Sequence, residues 1–233
     1  MTHLNFEARE TRDTVDDRQY NQHPNSALSY RKSMQQEFNS NAFDLSRALE
    51  DYCSHYPDEV GIVDQFRSLL SDRAGCFERG NFQPGHVTGS AWLVDDSGEH
   101  VLLTHHRKLD AWLQLGGHSD GDPDTAAVAR REAEEESGLA VELISRDILD
   151  VDVHEIPARK SDPAHLHFDV RFAFVSRSGR NYVVSGESHD LAWVPVQRLP
   201  QFTTETSILR MARKWIELRA QVMGSRSTDA DGD

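Results

Sequence analysis

The segment between Asp122 and Gly138 constrains the fold of this chain more than any other, because both of its ends carry helix signals. Asp122 and Pro123 are residue types favoured at the N-cap and the first helical position, and Gly138 is favoured just after a helix ends. Small residues recur at helical spacing along one flank, which allows close packing on a sheet: Ala126, Ala129 and Ala133. The sequence therefore predicts one helix here, packed against β-strands.

Runs rich in β-branched and aromatic residues surround this helix and predict a sheet. VTGSAWLV and VLLTHH, joined by the turn DDSGEH, predict a hairpin, and a short WLQL run follows it. Further strands are predicted after the helix, in the runs VELIS, DILDVDVHEI, HLHFDVRFAFV, NYVVS and LAWVPV. The run TSILRMARKWIELRAQVM has the apolar period of a closing amphipathic helix. This order of elements favours an α/β sandwich with a mixed sheet over a parallel doubly wound fold.

The chain divides by composition into four predicted parts. Residues 1–38 are polar without a sustained period and predict a disordered arm, and residues 224–233 predict a disordered tail. Residues 39–85 carry apolar residues at three- and four-residue spacing, interrupted near Pro57, which predicts an extension of two short helices. Residues 86–223 form the predicted main domain.

The formal net charge of -14 argues against binding to a nucleic-acid duplex or an anionic membrane surface, because like charges repel. The chain has no run of about 18 apolar residues, and its first residues lack the apolar core of a signal peptide. Its two cysteines, Cys53 and Cys76, form no CxxC pair, which fits a reducing compartment. The expectation is a cytoplasmic protein without a membrane span.

Four glutamates occur close together in the predicted helix. At about 100° per residue, Glu132, Glu135 and Glu136 lie on one face, whereas Glu134 points the other way. Like charges at this spacing destabilise a helix by about 0.2–0.5 kcal/mol per pair, and Arg131 can shield only one of the three. A hard divalent cation such as Mg²⁺ would balance them through its oxygen ligands. A solvated acidic helix face is the alternative, since runs of charge are most often that.

Two glycines directly after the WLQL run, Gly116 and Gly117, allow a close approach to the backbone, and a carbonyl there could add a metal ligand. From Gly117 to Leu139 the sequence resembles the Nudix box, G-x5-E-x7-R-E-U-x-E-E-x-G-U, where U is a bulky aliphatic residue. The matching positions are Gly117, Arg131, Glu132, Glu135, Glu136, Gly138 and Leu139, with Ala133 as a small U. Pro123 stands where the box has its first glutamate, and a neighbouring aspartate could substitute for it.

This resemblance implies a Nudix-type α/β/α sandwich that hydrolyses a diphosphate linkage, usually in a nucleoside diphosphate joined to another group, with Mg²⁺ or Mn²⁺. It implies that Arg131 orients the carboxylates. It also suggests Glu187, in the loop SGESHD, as an extra acidic ligand or base. The implied metal ligands are the Gly117 carbonyl, Glu132, Glu135 and Glu136.

Histidines in the same part of the chain suggest a substrate pocket. Strand alternation in HLHFDV places His165, His167 and Asp169 on one side of a strand and apolar residues on the other. A solvent-facing strand for these histidines, core packing for Trp112 and an ordinary surface loop for Arg107 remain alternatives. The predicted substrate-binding set is Arg107, Trp112, His118, His165, His167 and Asp169.

The leading hypothesis is a metal-dependent Nudix pyrophosphohydrolase acting on a small-molecule diphosphate. One alternative is an enzyme like isopentenyl-diphosphate isomerase, which shares the fold but needs an active-site cysteine near an early strand. Another is a non-catalytic Nudix-fold module that binds a ligand or a partner. A homodimer formed through residues 39–85 is a further expectation.

Overall fold

The computed structural model describes residues 43–71, 75–107, 110–159, 162–186 and 188–224. The arm predicted over residues 1–38 lies outside these ranges, as does the predicted tail after residue 224. Among the helices in the described ranges, none is both long and apolar enough to cross a membrane.

Five α-helices and eight strands make up the described part of the chain. The helices are α1 (Leu45–His55), α2 (Val60–Ser71), α3 (Thr125–Ser137), α4 (Leu199–Phe202) and α5 (Thr206–Gly224). The strands are β1 (Gly85–Val94), β2 (His100–His106), β3 (Ala111–Leu113), β4 (Leu115–His118), β5 (Val141–Leu143), β6 (Asp150–Ile156), β7 (His165–Ser176) and β8 (Ser188–Pro195). Short 3-10 turns at Pro57–Glu59 and Val196–Arg198 precede α2 and α4.

The strands form one mixed eight-stranded sheet with β1 at its centre. Strand β1 pairs in parallel with β7 and antiparallel with β2 and β4. Strand β8 pairs with β2, and both β5 and β6 pair with β7. The antiparallel pair of β1 and β2 confirms the predicted hairpin.

Helices cover both faces of this sheet. One apolar cluster joins alternate residues of β1 and β7, such as Ala91 and Phe172, to α1, α2 and α3. A second cluster joins the intervening residues, such as Trp92 and Ala173, to α5. Because side chains alternate along a strand, the two clusters lie on opposite faces, and the predicted α/β/α sandwich is confirmed.

The predicted helical extension is confirmed by α1 and α2, which complete the core over β7. The Asp44 carboxylate accepts the N–H groups of Ser46 and Arg47 and so caps α1. The rings of Phe66 in α2 and Phe168 in β7 meet edge to face, with 5.3 Å between their centroids. The two helices are therefore packed on the sheet that carries the candidate site.

The predicted start of the central helix was wrong by two residues. The helix begins at Thr125 with Asp124 as its N-cap, because the Asp124 carboxylate accepts the N–H of Ala127. Asp122 instead accepts the N–H of Asp124 within the preceding loop. Pro123 therefore lies before the helix and not at its first position.

The run NYVVS was wrongly predicted to be a strand. The Val183 N–H donates to the carbonyl of Ser137 at 2.7 Å, so this segment supplies a partner for the end of α3 instead of joining the sheet.

The glycine pair was predicted to follow a strand, but Gly116 and Gly117 are inside strand β4. Strand β4 pairs with β1, which places this glycine pair at the centre of the sheet.

A buried network of charges ties α5 to β6 and β7. Asp150 is fully buried, and its carboxylate accepts hydrogen bonds from Arg171, Arg210 and Lys214 at 2.7–2.9 Å. Lys214 also donates to Glu59 in the turn after α1, at 2.9 Å. Three cations thus converge on one interior carboxylate, which is the partner that all three share.

Acid should weaken this network through Asp152 on β6. Burial alone would raise the pKa of Asp152, but a hydrogen bond from His154 and two neighbouring guanidinium groups hold that pKa well below its ordinary value of 3.8. A carboxyl group with a lowered pKa in the folded state stabilises the fold above the unfolded-state pKa, and this contribution is lost as the pH falls below about 4. We expect the urea midpoint to drop progressively as the pH falls from about 4 towards the lowered pKa of the folded state, and Asp152→Asn to flatten that drop. An equal drop in the variant would contradict this assignment.

Candidate functional site

Helix α3 is capped at both ends and packs its alanine flank on the sheet. Asp124 caps its start, and Gly138 ends it in the left-handed conformation, with φ 68°. The approach to β1 is close: a Cβ atom at Gly89 would lie 2.6 Å from the carbonyl oxygen of Thr125. The buried flank consists of Ala126, Ala129 and Ala133.

In the loop before α3, Pro123 stands where the Nudix box has a glutamate. The residues beside it still form hydrogen bonds within the loop. The Asp122 N–H donates to the carbonyl of Ser119 at 2.9 Å, and the Asp122 side chain accepts the N–H of Asp124 at 2.9 Å. The two aspartates beside Pro123 therefore order both the loop and the helix start.

Glu132 lies directly against the backbone of Gly117 in β4. A Cβ atom at Gly117 would lie 2.5 Å from the carboxyl carbon of Glu132, so glycine leaves the room that this carboxylate occupies. Gly116 is similarly enclosed, since a Cβ atom there would lie 2.2 Å from the hydroxyl oxygen of Ser90. The glycine pair thus allows the close approach that the sequence predicts.

Glu136 and Arg131 fix α3 to β4. Glu136 is only 9% exposed, and its Oε1 accepts the N–H of Gly116 at 2.9 Å. The Arg131 Nη2 donates to the carbonyl of His118 at 2.9 Å and to the Glu132 Oε1 at 3.0 Å. A solvated acidic face would have no such ties to the strand that carries the glycine pair.

The other two glutamates of the cluster have different surroundings. Glu135 is exposed, and Glu134 forms an i,i+4 ion pair with Arg130 at 3.2 Å. Within the described residues, the oxygens of Glu132, Glu135 and Glu136 do not all come within 4.8 Å of one another. The metal face formed by these three carboxylates therefore stays a prediction.

A group of three histidines does meet this distance. The ring nitrogens of His86, His118 and His167 that could bind a metal all lie within 4.8 Å of one another. The three side chains come from β1, β4 and β7, and His154 and His165 border them through ring contacts with His167. The histidines at 118, 165 and 167 that the sequence singled out thus lie together.

Burial favours the neutral form of the three central histidines. It lowers the pKa of His118 to about 4, and the charge of Arg79 acts in the same direction. Burial also lowers the pKa of both His86 and His167. Near neutral pH the imidazoles therefore keep a lone pair available.

Asp169 lies on the same strand face but is enclosed by protein donors. It is 2% exposed, and its carboxylate accepts hydrogen bonds from Thr88, Ser90, Gln114 and Arg171. These donors come from β1, β7 and the residue between β3 and β4. The carboxylate therefore joins neighbouring strands beside the histidines, and its contact with a substrate stays a prediction.

Comparison with known proteins gives this geometry a family. A family model described as the NUDIX domain matches residues 85–215. The chain belongs to the Nudix family. This membership confirms the predicted Nudix fold and the predicted class of enzyme, a pyrophosphohydrolase.

Several solved structures are similar to part of the chain. A NUDIX-family hydrolase from Clostridium perfringens is 24% identical over 57% of this chain and 97% of its own, with a TM-score of 0.43. The dihydroneopterin triphosphate pyrophosphohydrolase of E. coli is 17% identical over 56% of this chain and 95% of its own, with a TM-score of 0.45. An Ap4A hydrolase of C. elegans is 15% identical over 58% of this chain and 98% of its own, with a TM-score of 0.41. Comparison with curated proteins gave no match.

Two predicted substrate contacts of this Nudix domain have partners elsewhere. The Arg107 Nη2 donates to the carbonyl of Ser188 in β8 at 2.9 Å. The Trp112 ring stacks on the His105 ring, with 5.0 Å between their centroids, and its centroid lies 4.9 Å from that of the Phe202 ring. These contacts do not place either residue at the Nudix box or at the group of His86, His118 and His167, and their substrate role stays a prediction. Glu187 lies outside the described residues.

Sequence reasoning missed His86. This residue is 1% exposed, and its ring lies 4.8 Å from that of His167 and 5.2 Å from that of His118. A signal was present in the run HVTGS, where His86, Thr88 and Ser90 alternate along one side of a strand otherwise predicted to be apolar.

Proposed function

We propose that this chain is a metal-dependent Nudix pyrophosphohydrolase that cleaves a diphosphate linkage in a nucleoside diphosphate derivative or a related small phosphorylated metabolite. The observation that carries the proposal is the contact of the Glu132 carboxylate with the Gly117 backbone, braced by Arg131. Acidic residues on an ordinary surface helix are solvated by water and have no contacts with a neighbouring strand. Here two carboxylates and a guanidinium are tied to one strand at the centre of the sheet.

The donor atoms of this site suit a hard divalent cation. Mg²⁺ and Mn²⁺ prefer oxygen ligands, and the carboxylates together with the Gly117 carbonyl supply only oxygen. When bound, such an ion supplies charge neutralisation on the phosphate oxygens and lowers the pKa of an attacking water. The residues that would hold it are Gly117, Glu132, Glu135 and Glu136.

The neighbouring groups of this chain position the donors. Arg131 holds both the Glu132 carboxylate and the His118 carbonyl, so the helix and the strand keep one relative position. Glu136 adds a second tie through the Gly116 N–H. Glu135 is the exposed member, which substrate and solvent reach most directly. We propose Glu187, the residue before β8 in the sequence, as an additional acidic ligand or base.

The environment of the two cysteines argues against the isomerase alternative. That reaction needs a thiol in the site, but Cys76 is buried in the apolar cluster shared by α1, α2 and α3, and Cys53 packs against the same cluster. The polar histidine face lies on the other side of the sheet. The non-catalytic alternative predicts ligand binding without turnover.

A substrate panel tests the proposal. The purified chain is incubated in oxygen-18 water with nucleoside diphosphate derivatives and isopentenyl diphosphate, with and without Mg²⁺, and products are identified by phosphorus NMR. We expect Mg²⁺-dependent cleavage into two phosphate-bearing products, one of which carries the label. Binding without any product would overturn the proposal, and rearrangement of isopentenyl diphosphate without label would support the isomerase instead.

Replacing Gly117 with alanine should impair catalysis more than folding. The new Cβ atom meets the Glu132 carboxylate, a flexible side chain, and would displace it from β4. A displacement of about 1 Å in a positioned group can cost on the order of 10²-fold in rate, and we expect a fall in kcat of that size. Gly80→Ala is the control, because a Cβ atom there meets nothing within 4 Å. Equal activity of the two variants, with matching circular dichroism spectra, would contradict the role of this contact.

A further inference from the structure

We propose that His86, His118 and His167 form a second metal site, selective for a transition-metal ion such as Zn²⁺ and distinct from the carboxylates of the Nudix box. Imidazole nitrogen is a preferred ligand of Zn²⁺, whereas Mg²⁺ binds oxygen. The three candidate ligand atoms already lie within 4.8 Å of one another, so small side-chain rotations suffice to bring them onto one ion. The chemistry of the donors therefore separates the two sites.

The sheet itself assembles this histidine site. In the parallel pair of β1 and β7, His86 stands opposite His167. In the antiparallel pair of β1 and β4, His118 stands opposite Thr88, two residues from His86 and on the same face. Backbone hydrogen bonds of three neighbouring strands thus fix the positions of all three ligands, which makes the site preorganised.

Unsatisfied nitrogen atoms point to a ligand at this place. The His86 Nδ1 lies 3.0 Å from the carbonyl oxygen of Asn81, which can only accept, so Nδ1 carries the hydrogen and Nε2 presents its lone pair. The Nε2 atoms of His86 and His167 are buried and have no hydrogen-bond partner within the described residues. Buried polar atoms are nearly always paired, and a metal-binding histidine commonly donates its other N–H to a backbone carbonyl.

His165 forms the rim of the site. Its Nδ1 lies 2.8 Å from the carbonyl oxygen of Pro163, which gives it the same tautomer as His86. Its ring lies 5.1 Å from that of His86 and 5.3 Å from that of His167. Among the described residues, the group of candidate ligands consists of His86, His118 and His167. Three protein ligands leave the fourth coordination position of a tetrahedral ion open for water or substrate.

The histidine site is connected to the Nudix box through one short strand. His118 supplies a ring to the histidine site, and its carbonyl accepts a hydrogen bond from Arg131 of the box. Gly117 is the adjacent residue in β4 and contacts Glu132. An ion held by the histidines would therefore fix β4 and stabilise the position of the glycine pair.

Calorimetric titration of Zn²⁺ into the metal-stripped full chain, in excess Mg²⁺ to occupy the carboxylates, tests this site. We expect one Zn²⁺ to bind per chain and the melting temperature to rise. Replacing a residue that only orients a metal ligand typically lowers metal affinity by about 10–100-fold. Replacing a ligand itself, in His86→Gln or His118→Gln, should therefore lower the affinity for Zn²⁺ by at least that much. His189→Gln, at an exposed histidine outside the cluster, should bind like the wild type. Because two ligand variants are tested, the proposal stays testable if one of them misfolds.

The result for Glu135→Gln separates this proposal from the proposed hydrolase activity. That variant should keep its Zn²⁺ affinity while losing hydrolysis. A wild-type chain that binds no Zn²⁺ would overturn the histidine site and leave the hydrolase proposal standing. Zn²⁺ binding that persists in both His86→Gln and His118→Gln but disappears in Glu135→Gln would also overturn it, because the ion would then belong to the carboxylates.

Discussion

Glu135→Gln is expected to lower kcat for diphosphate cleavage by on the order of 10³-fold, because the proposed role of Glu135 as a metal ligand would contribute several kcal/mol of stabilisation to the transition state. Glutamine has nearly the same shape but lacks the charge that balances a divalent cation. Glu135 is exposed, so its replacement removes no interior contact and the fold should be preserved. Steady-state kinetics across a Mg²⁺ series and a thermal melt measure the two effects separately.

The adjacent Glu134 provides a matched control. Glu134→Gln makes the same chemical change one residue away, but this side chain pairs with Arg130 on the surface at 3.2 Å. An i,i+4 ion pair of this kind contributes about 0.3–0.5 kcal/mol, so we expect nearly wild-type kinetics. Equal losses in the two variants would mean that total charge, and not a metal ligand, governs the rate.

Asp150→Asn is expected to reduce the free energy of unfolding by about 3–5 kcal/mol, the cost of removing one partner from a buried ion pair. The carboxylate is fully buried and accepts hydrogen bonds from Arg171, Arg210 and Lys214. An amide removes the negative charge that the three cations share and leaves each of them with fewer carboxylate partners. The loss should be large although the side chain keeps its size.

Urea unfolding measures this loss against a surface control. Asp64→Asn removes an exposed carboxylate that pairs with Arg67 at 2.6 Å. Exposed pairs contribute about 0–1 kcal/mol, so the control should shift the midpoint little. A shift for Asp150→Asn no larger than that of Asp64→Asn would show that the buried network tolerates the missing charge.

Local signals in the sequence were sufficient to predict the box helix, the hairpin and the closing helix. Each of these elements carries its own caps, turn or apolar period, as Gly138 does for α3. The start of α3 was misplaced because two aspartates flank Pro123 and either can cap a helix. Only the structure distinguishes them, since Asp124 accepts the N–H of Ala127 and Asp122 closes the loop.

Features that depend on pairing between distant strands were not predictable in the same way. His86 and His167 are far apart in the chain and meet because β1 and β7 run in parallel. Asp169 was predicted to line a pocket from strand alternation alone, and two of its donors, Ser90 and Gln114, lie far from it in the sequence. The hydrogen-bond partners of Asp150 come from β7 and α5, and no local sequence pattern predicts these pairings.

A Mg²⁺ titration of the metal-stripped wild-type chain with a nucleoside diphosphate derivative tests the central proposal most directly. Product formation is followed by phosphorus NMR while substrate binding is followed by calorimetry on the same preparation. The proposed function predicts binding and cleavage that rise together as Mg²⁺ is added, with no cleavage in its absence. Full cleavage without a divalent ion, or tight binding without cleavage at any Mg²⁺ concentration, would contradict it.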